Sequence, residues 1–457
     1  MLSPRRTAQR MLAALGLAAA AAAQQTDPAE APPQDQVLAT QPASQPASRP
    51  ADDEPAPDKA PRAWYEAERL TGDWGGVRPW LEEHGITFDS TFSTYYQHVA
   101  RGGLQTHNAH TIIGVNDFEL TLDLGKMKVL PGGRLYLWGS NAWGESPSTR
   151  GWTGDLFWVN GAEVGDRPID VHELWYEQSF LDDKVQVRFG KISLPMSFDT
   201  NEFANWPSRD FVNYGLNNAP NIPFPAFAFG ALGAQAFIRP CDLFYFGAGA
   251  ADAEGDFRET GLRTGLHGPA HFFGIFEAGL TPTFETPLGK LPGHYRAGLW
   301  YDPTVKEEFF NDLDGRREIP LKNGDVGFYV NLDQQLWREA PSDPNDAQGL
   351  GVFARYGHAN DDVNWIEHFW SVGGQYRGPI PTRDEDVLGV GVAQGLLSPN
   401  LSKIGLDPHH ETVIEAYYSI QLFPWLTVSP DFQWILRPGG ENGRDAFVAG
   451  LRLTMSF

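Results

Sequence analysis

The chain has 457 residues, of which 41% are hydrophobic, and a formal net charge of −23. Such acidity argues against a nucleic-acid partner, and a single cysteine, Cys241, excludes an intrachain disulfide. Beyond the N-terminus no apolar run approaches the roughly 18 residues of a transmembrane helix, so a membrane location would require a closed β-barrel.

The first 63 residues have the composition of export and linker segments. Residues 1–23 carry Arg5, Arg6 and Arg10, then an apolar stretch that ends in three alanines, which is the pattern of a signal peptide. Residues 24–63 are rich in Pro, Ala, Gln and Ser and are predicted to be a disordered linker or tether.

Residues 64–85 predict a short periplasmic helical segment, because Pro79 lies near its first turn and Gly85 follows its end. From residue 86 onward the sequence reads as strand after strand, and we predict an all-β fold: a transmembrane antiparallel β-barrel of about sixteen strands over 86–457. The predicted strands are 86–99, 115–124, 133–143, 171–180, 184–192, 231–239, 243–251, 271–281, 294–302, 326–337, 349–358, 370–377, 387–395, 411–423, 426–437 and 446–457.

The connections between these strands alternate in length. Tight connections at 181–183, 240–242 and 423–425 all follow even-numbered strands, whereas long ones at 144–170, 193–230 and 252–270 follow odd-numbered strands. Short turns on one rim and long loops on the other are typical of outer-membrane barrels, with both termini on the periplasmic side.

Several separated motifs resemble those of the carbohydrate-selective porins of the OprB family. They are Leu70-Thr-Gly-Asp-Trp-Gly-Gly-Val-Arg78, Leu81-Glu-Glu-His-Gly-Ile-Thr-Phe88, Glu173-Leu-Trp-Tyr-Glu-Gln-Ser-Phe180, Val187-Arg-Phe-Gly-Lys191, Pro424-Trp-Leu-Thr-Val-Ser-Pro-Asp-Phe-Gln433 and Arg437-Pro-Gly-Gly440. The resemblance runs from about residue 64 to 457 and implies an outer-membrane porin that passes sugars by passive diffusion. It also implies that an extracellular loop folds into the lumen, and that the terminal Phe457 belongs to a signal read by the barrel-assembly machinery.

Inward polar residues of such a barrel are the natural surface for permeants. Charged groups bond sugar hydroxyls and aromatic rings support the apolar face of a sugar, while the alternative role for each residue is an ion-pair lattice that stiffens the wall. The pore-lining candidates are Arg134, Glu173, Trp175, Glu177, Arg188, Trp206, Arg296, Arg355, Arg377, Glu415 and Asp431. Trp206 lies in the predicted constriction loop near 193–230, and the segment 144–170 is a second candidate for an inward loop.

No cofactor or metal site and no catalytic centre are predicted. His267 with His271, and His409 with His410, lack a third ligand nearby in sequence, and Asp312-Leu-Asp-Gly-Arg-Arg-Glu318 lacks the spacing of a calcium loop. An outer-membrane receptor, a barrel enzyme and a secreted all-β lectin are the alternatives. Mono- or oligosaccharides and outer-membrane lipid are the expected partners, and a homo-oligomer is compatible with the sequence.

Overall fold

The computed structural model describes residues 63–226, 230–255, 271–310, 320–341, 343 and 346–457. The predicted signal peptide, nearly all of the predicted linker and the segment 312–318 therefore lie outside the described residues. Within the described part of the chain, sixteen strands form one closed antiparallel sheet.

The strands follow one another around the barrel in sequence order. They are β1 (Ile86–Arg101), β2 (His110–Asp123), β3 (Gly133–Trp143), β4 (Arg167–Phe180), β5 (Val185–Ile192), β6 (Ala231–Cys241), β7 (Phe244–Asp252), β8 (Phe272–Leu280, continued as Thr283–Thr286), β9 (Gly289–Glu307), β10 (Leu321–Arg338), β11 (Gly349–His358), β12 (Ile366–Arg377), β13 (Val387–Leu397), β14 (His410–Phe423), β15 (Leu426–Leu436) and β16 (Ala446–Ser456). Both pieces of β8 pair with β9, which is why they count as one interrupted strand. The barrel closes where β16 pairs with β1.

Side chains alternate strictly between the two faces of this sheet. In β10 Val330 is 45% exposed while its neighbour Asn331 is 2% exposed, and in β16 Leu451 is 46% exposed while Arg452 is 1% exposed. Apolar residues therefore point outward and polar residues inward, which is the reverse of a water-soluble barrel and suits an outer face in lipid. No helix among the described residues is long and apolar enough to cross a membrane.

The N-terminal segment packs against the ends of the first and last strands. Its helix α1 (Val77–Glu83) is followed by Gly85, which has a φ of 82° and whose added Cβ would lie 2.6 Å from the Asp123 carbonyl oxygen. The Leu70 N–H donates to the Ser456 carbonyl at 2.8 Å, so this segment is tied to the last strand.

All sixteen predicted strands are present, and the prediction of the barrel is confirmed. The largest differences in length concern β9 and β10, which extend well beyond 294–302 and 326–337. Their added ends, such as Thr304-Val305-Lys306, alternate less clearly between apolar and polar residues than the predicted parts of these strands.

Candidate functional site

The connection between β5 and β6 folds into the lumen over its described residues 193–226, which are called the inner loop. It contains the one-turn helix α2 (Tyr214–Asn217), whose N-cap residue Asn213 accepts a hydrogen bond from the Gly215 N–H. Most of its polar side chains are buried against the barrel wall. The inner loop therefore narrows the lumen, as the family resemblance implied.

Two arginines of the wall hold the backbone of the inner loop. Arg452 of β16 donates to the carbonyl oxygens of Pro207, Arg209 and Asp210 at 2.7, 2.9 and 2.6 Å. Arg355 of β11 donates to loop carbonyls as well. Its partners are Leu216 at 2.8 Å and Ala204 at 2.6 Å. Both guanidinium groups are almost fully buried, with 1% and 3% of the residue exposed. Each replaces the water that loop carbonyls would otherwise bind.

Wall carboxylates accept the N–H groups of the same loop. Glu415 of β14 accepts from Val212 at 2.5 Å and from Asn213 at 2.9 Å, and it is fully buried. Glu277 of β8 accepts the Asp199 N–H at 3.1 Å. Wall arginines thus meet loop carbonyls and wall acids meet loop amides, so the charges of this arc bind the loop.

Inward glycines make room for the apolar side chains of the inner loop. A Cβ added to Gly391 of β13 would lie 2.9 Å from the Leu216 Cδ2 atom and 3.0 Å from the Phe211 ring. Such contacts are closer than real Cβ atoms tolerate. The wall beneath the loop is therefore matched to it in shape as well as in charge.

The connection 144–166 between β3 and β4 also folds inward and pairs with the inner loop. The Gly161 N–H donates to the Val212 carbonyl at 2.7 Å, and the Tyr214 N–H donates to the Trp158 carbonyl at 3.0 Å. Burial raises the pKa of the Asp155 carboxyl in this segment, and hydrogen bonds from nearby hydroxyls oppose that shift. Both loops that the sequence singled out therefore lie inside the barrel.

The opposite arc of the wall stays open to the lumen. A cavity of about 550 Å³ lies between this arc and the start of the inner loop. Its lining is polar and of mixed charge and includes Glu177, Gln186, Arg188, Thr200, Gln235, Arg239, Asp242, His294 and Arg296. The volume falls within the range of small-ligand sites, and no single sign of charge dominates the lining.

Arg188 of β5 is a cation of this cavity that is held by both a carboxylate and an aromatic ring. Its Nε and Nη2 atoms donate to Glu177 of β4 at 3.2 and 2.9 Å, and its guanidinium lies 3.8 Å from the centre of the Trp175 ring. Trp175 also stacks on Tyr136 at 4.7 Å and is only 5% exposed. Trp175 thus supports Arg188, while Arg134 approaches the same Glu177 at 3.7 Å.

Arg296 and His294 of β9 line another side of the cavity. Arg296 supplies a positive charge there, and His294 supplies a polar ring. The Arg296 Nη1 atom donates to Asp333 of β10 at 2.7 Å. On the inner loop Glu202 and Arg209 are exposed, and Trp206, which lies between them in sequence, is half-buried. Arg209 donates to Asp210 at 3.1 Å.

The structure divides the predicted pore-lining residues into two groups. Arg355, Glu415 and Asp431 lie beneath the inner loop, and none of them is more than 3% exposed. Their contact with a permeant stays a prediction, since the contacts seen here are with the loop and the wall. Glu177, Arg188 and Arg296 line the open cavity. Next to these residues lie Arg134, Glu173 and Trp175, and Trp206 lies on the inner loop.

Arg377 lies apart from both groups at the periplasmic rim, where it pairs with Glu385 at 2.6 Å. The predicted pore-lining residues do not include Glu202, Arg209, Tyr245, Glu277 or His294. The alternation of side chains along a strand could have identified Tyr245, Glu277 and His294, because each lies at an inward-facing position. Nothing in the sequence marks which loop side chains face the cavity.

Comparisons with known proteins agree with this geometry. The family model described as "Carbohydrate-selective porin, OprB family" matches residues 108–457. Porin B of Pseudomonas aeruginosa is 24% identical over 446 residues, which cover 85% of this chain and 91% of that protein. The putative porin QuiX of Acinetobacter baylyi is 21% identical over 427 residues, covering 85% of this chain and 93% of that protein. The high-pH structure of Pseudomonas putida OprB superimposes with a TM-score of 0.73 at 22% identity, covering 87% of this chain and all of that one.

Proposed function

Because this chain belongs to the carbohydrate-selective porins of the OprB family and is an outer-membrane β-barrel channel, we propose that sugars cross it along the open arc of the lumen. The route runs past Arg188, Glu177 and Arg296 on the wall and past the inner loop on the other side. The observation that carries this proposal is the rigid placement of Arg188 between Glu177 and Trp175 at the edge of the cavity.

Several features of this cavity favour neutral polyhydroxylated solutes. Fixed Arg and carboxylate groups offer paired donors and acceptors to vicinal hydroxyls, at positions that need no rearrangement. The mixed charge gives no strong preference for an anion or a cation. Trp206 of the loop is the aromatic ring we assign to the sugar's apolar face, because Trp175 is covered by Arg188 and Tyr136.

The family and the fold make the protein a channel, which disfavours the alternatives of a barrel enzyme and a secreted lectin. We propose that no covalent change of the permeant occurs. In support, the acids Glu177, Glu277 and Glu415 are each engaged by an arginine, by tyrosine hydroxyls or by backbone amides. We also assign the outward apolar face to lipid, and the end of β16 at Phe457 to recognition during barrel assembly.

Sugar block of ion current through single channels tests the proposed route. Arg188→Ala and Glu177→Gln should each weaken the block by about three- to tenfold, which corresponds to the loss of one or two hydrogen bonds. Lys126→Ala is the matched control, because it removes one exposed positive charge from the periplasmic turn between β2 and β3. Unchanged block in both lumen variants would move the sugar contacts elsewhere.

Liposome swelling measures the selectivity itself. Proteoliposomes should swell faster with mono- and disaccharides than with amino acids of similar size. Equal rates in the wild type would contradict selectivity for carbohydrates. Equal rates only in Arg188→Ala would support the assigned contact.

A further inference from the structure

A cluster of two histidines and a glutamate lies on the outer surface of the barrel, away from the lumen. His358 ends β11, and Glu367 and His368 lie at the start of β12. Their candidate ligand atoms all lie within 4.8 Å of one another. Because Gly357 and Phe369 next to them are buried on the inner face, the two imidazoles point outward at the extracellular rim.

We propose that His358, Glu367 and His368 form a binding site for a divalent transition-metal ion. Two imidazoles and one carboxylate are a common set of protein ligands for Zn²⁺, with a water molecule in the fourth position. Ca²⁺ and Mg²⁺ prefer sets made of oxygen atoms, so they are the wrong ions for this cluster.

The distances in the cluster fit a metal site with little rearrangement. Metal–ligand bonds of about 2.0–2.1 Å place the ligands of a tetrahedral ion about 3.3 Å apart. The His368 Nε2 atom already lies 3.2 Å from the Glu367 Oε1 atom. His368 lies opposite His358 in the strand register, with ring centres 4.9 Å apart, so a small rotation of His358 completes the set.

The surroundings of the two imidazoles supply a second argument. The His368 Nδ1 atom is 2.8 Å from the Tyr356 hydroxyl. A metal at Nε2 requires the proton on Nδ1, which would donate to that hydroxyl, as the outer ring nitrogen of a ligating histidine usually does. The buried Nδ1 atom of His358 has no hydrogen-bond partner among the described residues.

A ring stack in the aromatic belt is the competing explanation for the paired histidines. Phe328 and Tyr356 lie near them, as rings do at a membrane interface. A stack of rings does not require a carboxylate within reach of both imidazoles. The barrel provides a comparison in His98 and His110, which also face each other across neighbouring strands, at 6.3 Å, and are absent from the metal-competent groups of the described residues.

The site would join β11 to β12 where the inner loop touches the wall. The Glu367 carbonyl accepts the Ala359 N–H at 2.9 Å and lies 3.4 Å from the Asn221 side-chain amide of the inner loop. A bound ion would therefore fix the extracellular end of this hairpin beside the loop.

Calorimetric titration of the detergent-solubilised full chain with Zn²⁺ tests the proposal. We expect one saturable site, with one ion bound per chain. His368→Asn and Glu367→Gln should each weaken it at least tenfold, and Tyr356→Phe should weaken it by a smaller factor. The matched control His98→Asn should leave it unchanged.

The folded state of each variant is checked by the mobility of unheated and heated samples on denaturing gels. Co²⁺ then supplies a readout that a structural role would not affect, since its visible absorption reports nitrogen ligands and low coordination number. Absence of saturable binding by the wild type, equal affinity in folded His368→Asn, or an equal loss in His98→Asn would each overturn the site.

Discussion

The Arg452→Met substitution removes the three hydrogen bonds that this wall arginine donates to the inner loop, and it preserves most of the side-chain volume. Each hydrogen bond from a charged donor contributes about 1.5–3 kcal/mol, and Arg452 makes three to loop carbonyls at 2.6–2.9 Å. Lumen water can replace part of that sum, and removal of the buried cation recovers its desolvation cost. We therefore expect a net loss of about 2–4 kcal/mol of docking free energy for the segment at 207–210.

Such a loss changes the ratio of docked to undocked loop by a factor of about 30 to 700. The segment 207–210 should then leave the wall part of the time. Single-channel recordings in planar bilayers should show a higher mean conductance with rapid fluctuations, and liposome swelling should show weaker discrimination between sugars and amino acids. The loop is where the open route is narrowed, so both effects share one cause.

Arg377→Met is the matched control for this experiment. Arg377 is also a strand arginine, but its partner is Glu385 of the periplasmic turn and not the inner loop. The conductance of the Arg377→Met variant should equal that of the wild type. If the Arg452→Met channel shows unchanged conductance without fluctuations, Arg452 does not hold the loop. Arg355→Met would then test whether the other wall arginine holds it.

Three further predictions concern the loop and the turns. Gly391→Val should displace Leu216 and raise conductance noise, since even a Cβ would lie 2.9 Å from that side chain; a quiet variant would contradict the close approach. Glu277→Gln should lower the free energy of unfolding in urea by about 1–2 kcal/mol, because one acceptor of the Tyr245 and Tyr329 hydroxyls is lost; unchanged stability would contradict it. Although burial opposes the shift, hydrogen bonds led by that of Arg383 hold the pKa of Asp386 below its ordinary value, so its stabilisation is present above about pH 4 and lost as the pH falls further. Asp386→Asn should therefore destabilise the barrel more at pH 7 than at pH 3, and equal effects at both pH values would refute this.

The barrel could be predicted from the sequence because lipid and lumen impose opposite requirements on successive residues. For example, the apolar Val330 faces outward and is exposed, whereas the polar Asn331 next to it faces inward and is buried. Turn lengths then gave the direction of each strand. The continuation of β8 as Thr283–Thr286 could not be predicted, since Pro282 argues against a strand that continues past it.

The site could be predicted only in part. Parity places Arg188 and Glu415 on the same inner face, and nothing in the sequence separates them. The inner loop makes the difference, because it covers Glu415 completely and leaves Arg188 beside the cavity. Where a loop comes to rest depends on many weak contacts with distant strands, and one sequence does not reveal those pairings. The same limit concealed the contact of His358 with His368, which a hairpin brings together.

Because one arc of the lumen wall holds the inner loop and the other stays open to the lumen, sequence changes in the two arcs should affect the channel differently. The inner face of the barrel has two parts. One part is complementary to the inner loop, and the other part faces the solutes that pass through. Exchanging the inner loop alone would uncover Arg355, Arg452 and Glu415, and would give the channel a second, differently charged surface. Substitutions along β4, β5 and β9 would instead retune the existing passage while the loop stays in place. Pore width thus depends mainly on the arc that holds the inner loop, whereas sugar contact depends on the open arc together with the exposed side chains of that loop.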